Sequence, residues 1–327
     1  MDLHPPPLKN SAADVIGNTP MVQLHRYVAA HGLTGTLYAK LELLNPGFSK
    51  KDRIAREMIQ EARKRGDLKE GQPVVELTSG NTGTGLAIVC RAMGHPFIAV
   101  MSRGNTIERA RMMSALGAEV VLVDQVPGSP PNQVSGEDLA LVEQKTQEIV
   151  ESRGAFRANQ FTLEGNVLAH ERFTGPEIWM QAKGNVDVFV DFAGTGGSFT
   201  GVMRYLLSVK EDVRGYFVEP GAAAVMAGHE VTNPSHKIQG GGYAMSDLPL
   251  LDRSLVTDYL QVTDDEAMNT ARSLAEVEGI FGGFSGGANL AAATVLLRER
   301  ERGAAIAFLV CDSGLKYLST DLYPANF

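Results

Sequence analysis

The sequence predicts an α/β fold built on two parallel sheets, and three features predict it. Short apolar runs alternate with amphipathic segments from about residue 51 onward. Glycine-rich turns join some of these runs to the helices that follow. The chain of 327 residues is long enough for two domains. Strand and helix in alternation imply parallel strands covered on both faces.

Strand-like runs fall at 74–78, 97–101, 119–124, 187–192, 216–219 and 305–310. Helix-like segments fall at 52–65, 82–93, 108–116, 137–152, 198–210, 264–278 and 288–302. Arg63, Lys64 and Arg65 end the first helix, where cations oppose its dipole. Residues 126–136 are too polar and proline-rich for either element and make the clearest long loop. Ligands in such folds bind beyond the carboxyl ends of the strands.

Hydrophobic residues make up 44 % and charged residues 21 %, the balance of a soluble globular protein. A net charge of −8, with no basic run interleaved with aromatics, argues against a nucleic-acid partner. No apolar stretch is long enough to cross a bilayer and no signal pattern is present, so a cytoplasmic protein is expected. Cys90 and Cys311 form no C-x-x-C pair and are expected as core thiols without a disulfide. The seven histidines lack metal-ligand spacing, so no metal is expected.

Two segments have the chemistry of an anion cradle. Thr78-Ser79-Gly80-Asn81-Thr82-Gly83 and Gly194-Thr195-Gly196-Gly197-Ser198 each follow a strand and open a helix. Glycine lets N–H groups converge, and the helix N-terminus adds positive potential. The plainer alternative is a tight turn with no ligand. Gly-x-Gly-x-x-Gly fails at Phe199, and no Gly-Lys dipeptide exists for a Walker loop. Gly283-Phe284-Ser285-Gly286-Gly287 matches the hydrolase elbow, yet no histidine follows His236, so the triad order is missing. Ser285 otherwise caps the next helix.

Ser49-Lys50-Lys51-Asp52-Arg53 opens a helix, with Ser49 as N-cap and Asp52 as its capping-box partner. Lysine in a first turn opposes the dipole. Either both amines reach solvent, or one is held near an anion. A desolvated lysine there loses its proton readily and can form a Schiff base.

Together these segments resemble the β family (fold type II) of pyridoxal-phosphate enzymes. The resemblance is to cysteine synthase (O-acetylserine sulfhydrylase) and the catalytic core of cystathionine β-synthase. It runs through Ile16-Gly17-Asn18-Thr19-Pro20, Lys40-Leu41-Glu42, Asn45-Pro46-Gly47 and Ser49-x-Lys51-Asp52-Arg53. Both glycine-rich loops follow, with Thr174-Gly175-Pro176-Glu177-Ile178-Trp179, His236-Lys237-Ile238-Gln239-Gly240 and Tyr317-Leu318-Ser319-Thr320.

The resemblance implies pyridoxal 5'-phosphate as cofactor and Lys51 as its Schiff-base lysine, with Lys50 at a usually apolar position. Asn81 would bond the cofactor's phenolic oxygen. Thr78, Ser79, Gly80, Asn81 and Thr82, with Gln160, would hold the substrate carboxylate. Gly194, Thr195, Gly196, Gly197 and Ser198 would hold the cofactor phosphate, and Ser285 would face the pyridine nitrogen. A hydroxyl there makes the ring a weaker electron sink than a carboxylate would, which suits prompt loss of a β-substituent. A smaller α/β domain, 43–155, would face a larger one, 1–42 plus 156–327, across the cofactor cleft, as in tryptophan synthase β. The partners implied are a small amino-acid substrate, a small nucleophile and a second copy in a homodimer.

The implied reaction is β-replacement through an aminoacrylate, such as O-acetylserine plus sulfide giving cysteine plus acetate. Its rival is β-elimination by a dehydratase or desulfhydrase, giving keto acid and ammonia. A non-catalytic binding protein is opposed by the intact Lys51, Asn81 and Ser285. A dinucleotide oxidoreductase is opposed by the missing fingerprint. Met101-Ser102-Arg103 replaces the family's Met-Pro-Glu, and Gln239-Gly240-Gly241-Gly242-Tyr243 replaces Gln-Gly-Ile-Gly-Ala. Arg103, Gly241 and Tyr243 are therefore candidate specificity residues. Arg103 would pair with an acidic leaving group or nucleophile; neutral drift in mobile loops is the alternative.

Overall fold

A computed structural model describes residues 7–78, 80–129, 134, 136–234 and 236–324. Ser79 and the middle of the 126–136 loop therefore lie outside the described residues. The strands, in chain order, are β1 (Met21–Gln23), β2 (Thr36–Leu41), β3 (Val74–Leu77), β4 (Phe97–Ser102) and β5 (Glu119–Val123). They continue with β6 (Phe156–Arg157), β7 (Val188–Phe192), β8 (Arg214–Pro220), β9 (Asp258–Val262) and β10 (Ala305–Val310). The helices are α1 (His25–Ala30), α2 (Lys51–Arg65), α3 (Asn81–Met93), α4 (Ile107–Ala115) and α5 (Gly136–Arg153). After them come α6 (Gly165–Ala169), α7 (Gly175–Gln181), α8 (Gly197–Val209), α9 (Asp264–Glu278) and α10 (Phe284–Glu299). A π-helical turn, His170–Thr174, joins α6 to α7.

The strands form a six-stranded sheet, β1-β2-β10-β7-β8-β9, and a four-stranded sheet, β5-β4-β3-β6. Every pairing is parallel except β1 with β2. Burial on both faces explains the unbroken apolar runs. In β10, Ile306, Phe308 and Val310 pack with α9 and α10. The alternate residues Ala307 and Leu309 pack with α8 on the opposite face. Period-two alternation produces this split. The same register in β7 sends Val188 and Val190 to one core and Phe189 to the other. Asp191 therefore lies on the α8 side. In the smaller sheet, Val74, Phe97 and Ala99 pack with α2 and α3. Val75, Ile98 and Val100 pack with Val142 and Ile149 of α5.

A buried ion network anchors α2. Arg53 Nε and Nη2 donate to Glu42 at 2.6 and 2.8 Å. Its Nη1 and Nη2 donate to Glu177 of α7, each at 2.7 Å. Lys40 of β2 pairs with Glu177 at 2.7 Å. Arg53, Glu42 and Lys40 are fully buried. Two fork-to-fork contacts give fixed geometry as well as attraction. Arg53→Met would leave Glu42 buried without an ion-pair partner and Glu177 with Lys40 alone. Denaturant unfolding should show a loss of about 3–5 kcal/mol; a loss under about 1 kcal/mol, the range of an exposed pair, would refute this role.

Candidate active site

The first turn of α2 places three side chains in three directions. Lys50 turns inward, where its Nζ lies 2.9 and 3.0 Å from the Asp191 carboxylate oxygens and 2.9 Å from Ser198 Oγ. Burial opposes its charge, but the Asp191 carboxylate more than offsets this and holds its proton above the usual lysine range. Asp52 accepts from the Gly47 backbone N–H. Lys51 lies between them, and among the described residues its Nζ has no hydrogen-bond or ion-pair partner. Burial, and then the charge of Lys50, lower it to about 8. The expected capping box is replaced: Lys50 is the N-cap, and the Asp52 carboxylate serves the Gly47 turn. Ser49 Oγ still accepts from Lys51 N at 3.3 Å.

A small cavity brings Lys50, Lys51, Asn81, Gly194, Thr195, Ser198 and Ser285 together, with Cys311 and Asp312. The Gly194–Ser198 loop runs from the end of β7 into the N-terminus of α8. Gly196 has φ +82°, a left-handed conformation that favours glycine. Gly197 lies against the Asn166 side chain, leaving no room for a Cβ. Asn166 Nδ2 in turn donates to Thr195 Oγ1 at 2.8 Å and to Gln160 O at 2.7 Å. The N–H groups of a first helical turn have no partner within the helix. A Cβ built on Gly194 would stand 4.0 Å from Lys51 Nζ, so bare backbone faces the amine.

The second loop lies at the end of β3 and the start of α3. Thr78 Oγ1 accepts from Gly80 N at 3.1 Å and Gly83 N at 2.9 Å, which folds the loop back on itself. Thr82 Oγ1 donates to Gln160 Oε1 at 2.7 Å. Asn81 Nδ2 donates to Asp312 at 2.7 Å, and its Oδ1 accepts from Lys316 Nζ at 2.6 Å. Tyr317 O–H reaches the same Asp312 oxygen at 2.5 Å. Burial lowers Lys316 to about 8. Ser285 lies inside the first turn of α10, whose N-cap is Gly283. The helix expected from 288 thus begins at Phe284, and Ser285 is not its cap.

A larger cavity of about 320 Å³ opens from the Thr78 loop and is lined by Arg109, Gln239, Gly241, Tyr243 and Phe284. Gly241 and Tyr243, two of the candidate specificity residues, therefore share one wall. Arg103 lies elsewhere, 57 % exposed at its side chain and paired with Asp124 at 2.6 Å. It borders a neighbouring groove with Asn105 and Gln239. Arg109 and Lys237 are the cations that line the larger cavity; Arg109 donates to Gln239 and lies 5.8 Å from the Tyr317 ring centre.

Asp191, Asp312, Lys316 and Arg109 were not anticipated as site residues. Asp191 and Asp312 had a signal: each is an acid at the carboxyl end of an apolar strand, where ligands of this fold class bind. Lys316 and Arg109 had none, because only packing brings them to the cleft.

The donor set fits pyridoxal phosphate. It offers an unpartnered amine for an aldehyde, helix N-termini for anions and a neutral hydroxyl for a ring nitrogen. Residues 12–312 match the family of pyridoxal-phosphate dependent enzymes, and the chain belongs to it. It is 41 % identical over 322 residues to cysteine synthase A of Escherichia coli (strain K12), covering 95 % of this chain and 94 % of that protein. It is 38 % identical over 319 residues to O-ureido-L-serine synthase of Streptomyces lavendulae, covering 97 % and 93 %. The crystal structure of O-acetyl serine sulfhydrylase isoform 3 from Entamoeba histolytica superposes with a TM-score of 0.90 at 32 % identity, covering 100 % of this chain and 96 % of that one.

Burial also sets a pH dependence beside the site. It pushes the Asp52 carboxyl up to about 7, and one of its oxygens has no partner. The folded state therefore binds this proton more tightly than the unfolded state. That contribution to stability is complete below about pH 4 and is lost as pH rises through 7. Asp52→Asn should flatten the fall in unfolding free energy over that window, measured by denaturant titration at each pH. An unchanged slope would contradict the assignment.

Proposed function

We propose that this chain catalyses β-replacement on a serine-derived amino acid, as a cysteine synthase does with O-acetylserine and sulfide. The observation that carries the proposal is Lys51 Nζ, a half-buried amine with no hydrogen-bond or ion-pair partner among the described residues, beside two loops that open helices. Similarity to cysteine synthase A and to O-ureido-L-serine synthase over nearly the whole chain supports it.

Bound pyridoxal phosphate would supply a carbonyl that bonds the amine and a ring that draws electrons from the substrate's α-carbon. The chain's residues do the rest. Gly194, Thr195, Gly196, Gly197 and Ser198 bind the phosphate at the α8 N-terminus, where N–H groups and dipole both favour an anion. Thr78, Ser79, Gly80, Asn81 and Thr82, with Gln160, hold the substrate carboxylate at the α3 N-terminus. One Asn81 N–H is committed to Asp312, which leaves the second for the cofactor's phenolic oxygen. Lys51 Nζ takes the α-proton as general base. A lysine lowered to about 8 keeps a usable uncharged fraction near neutral pH. Ser285 faces the ring nitrogen without fixing a proton there. The larger cavity receives the leaving group and admits the nucleophile. The same reading makes the protein a cytoplasmic homodimer.

The test is a visible spectrum of the purified protein, taken before and after O-acetylserine and again after sulfide. The band should change with O-acetylserine and return with sulfide as cysteine forms. Lys51→Ala should lower cysteine formation by about 10²–10⁴-fold, the range of a general base. A visible band indifferent to O-acetylserine would overturn the substrate assignment. Keto acid formed without sulfide would favour elimination.

A further inference from the structure

Lys50 has no part in the chemistry described above, yet it is built into the site with care. Its side chain is buried. It contacts both oxygens of Asp191, itself 1 % exposed, and Ser198 Oγ. Ser198 Oγ also donates to Asp191, so the three groups close a ring of hydrogen bonds. The ring lies beneath the Gly194–Ser198 loop and lines the same small cavity as Lys51. Register explains the meeting: Asp191 faces α8, Ser198 stands in the first turn of α8, and Lys50 enters from the N-terminal start of α2.

A fully formed ion pair in a dry site keeps its cation charged. A like charge close by disfavours a second proton. A lysine beside another cationic group is one of the known ways to activate an amine. We propose that Lys50, locked by Asp191 and Ser198, is a positioning residue whose positive field repels the proton from Lys51 Nζ. The inference rests on Lys51 being the amine that bonds the cofactor.

Other charges also face Lys51. The carboxylates of Asp191 at the end of β7 and Glu76 of β3 favour its proton. His170 in the π-helical turn stays neutral, because burial and then the charges of Lys50, Arg53 and Lys51 lower it well below its ordinary value. The Cys311 thiol is pushed up to about 12 by burial, so it adds no charge near neutral pH. Lys50 is the cation that acts against these groups, and its effect on Lys51 exceeds that of Asp191.

The inference is tested on the full-length chain without cofactor. Acetic anhydride is applied across a pH series, and acetylation of Lys51 is measured by peptide mass spectrometry. The parent chain should show a midpoint near 8. Lys50→Met should move it up toward the ordinary lysine value of 10.5. Lys50→Arg, which keeps the charge, should leave it in place. If Lys50→Met does not fold, Lys50→Met with Asp191→Ala removes the pair together and should also raise the midpoint. Natively folded variants with the parent midpoint would overturn the proposal, as would Lys50→Arg shifting as far as Lys50→Met. If the cofactor proves to attach elsewhere, the reading of Lys51 fails while the labelling result still decides the effect of Lys50.

Discussion

The buried Arg53 fork is the contact on which the site depends. It ties α2 to Glu42 after β2 and to Glu177 of α7. Burying these charges costs several kcal/mol per ion, which only close and complete pairing offsets. The network therefore tolerates one geometry, and that geometry sets the first turn of α2. Lys50, Lys51 and Asp52 precede Arg53 in that turn. One contacts the end of β7, one faces the cleft and one closes the Gly47 turn. A surface helix start would let all three side chains wander. Here their directions are fixed by neighbours that are themselves buried.

Much of the fold was legible in the sequence. The runs at 97–101, 119–124 and 305–310 are strands because both sheet faces are covered, which leaves a continuous apolar signature. The helix at 52–65 carries a clear stop in its cationic last turn and Gly66 at φ +82°, and that at 264–278 starts on a full capping box of Thr263 and Glu266 and ends at Gly279 with φ +72°. Strands β1, β6 and β9 gave too little pattern, and β2 was not anticipated either. The first two hold three and two residues. The third carries exposed polar positions at the sheet edge. Helices α6 and α7 were obscured by the π-helical turn between them, which breaks the 3.6-residue period.

The site was legible where backbone chemistry dominates and opaque where packing does. The two glycine-rich loops after strands stand out in the sequence, and residues of both line the small cavity with Lys51. The two lysines left alternatives open, since neither pairing nor burial can be read from adjacent residues. The structure separates them: Lys50 is an internal ion-pair partner, and Lys51 has no partner among the described residues. Arg103 illustrates the opposite case. It was singled out by a change of charge in a motif, but its side chain joins Asp124 at the surface. Arg109, six residues on, reaches the cavity instead.

The central claim is that the second of two adjacent lysines bonds the cofactor. Borohydride reduction of the protein loaded with pyridoxal phosphate, followed by peptide mapping, tests it directly. The account predicts a phosphopyridoxyl group on Lys51 and none on Lys50, whose amine is held charged by Asp191 and cannot attack a carbonyl. The label on Lys50, or on neither residue, would contradict it.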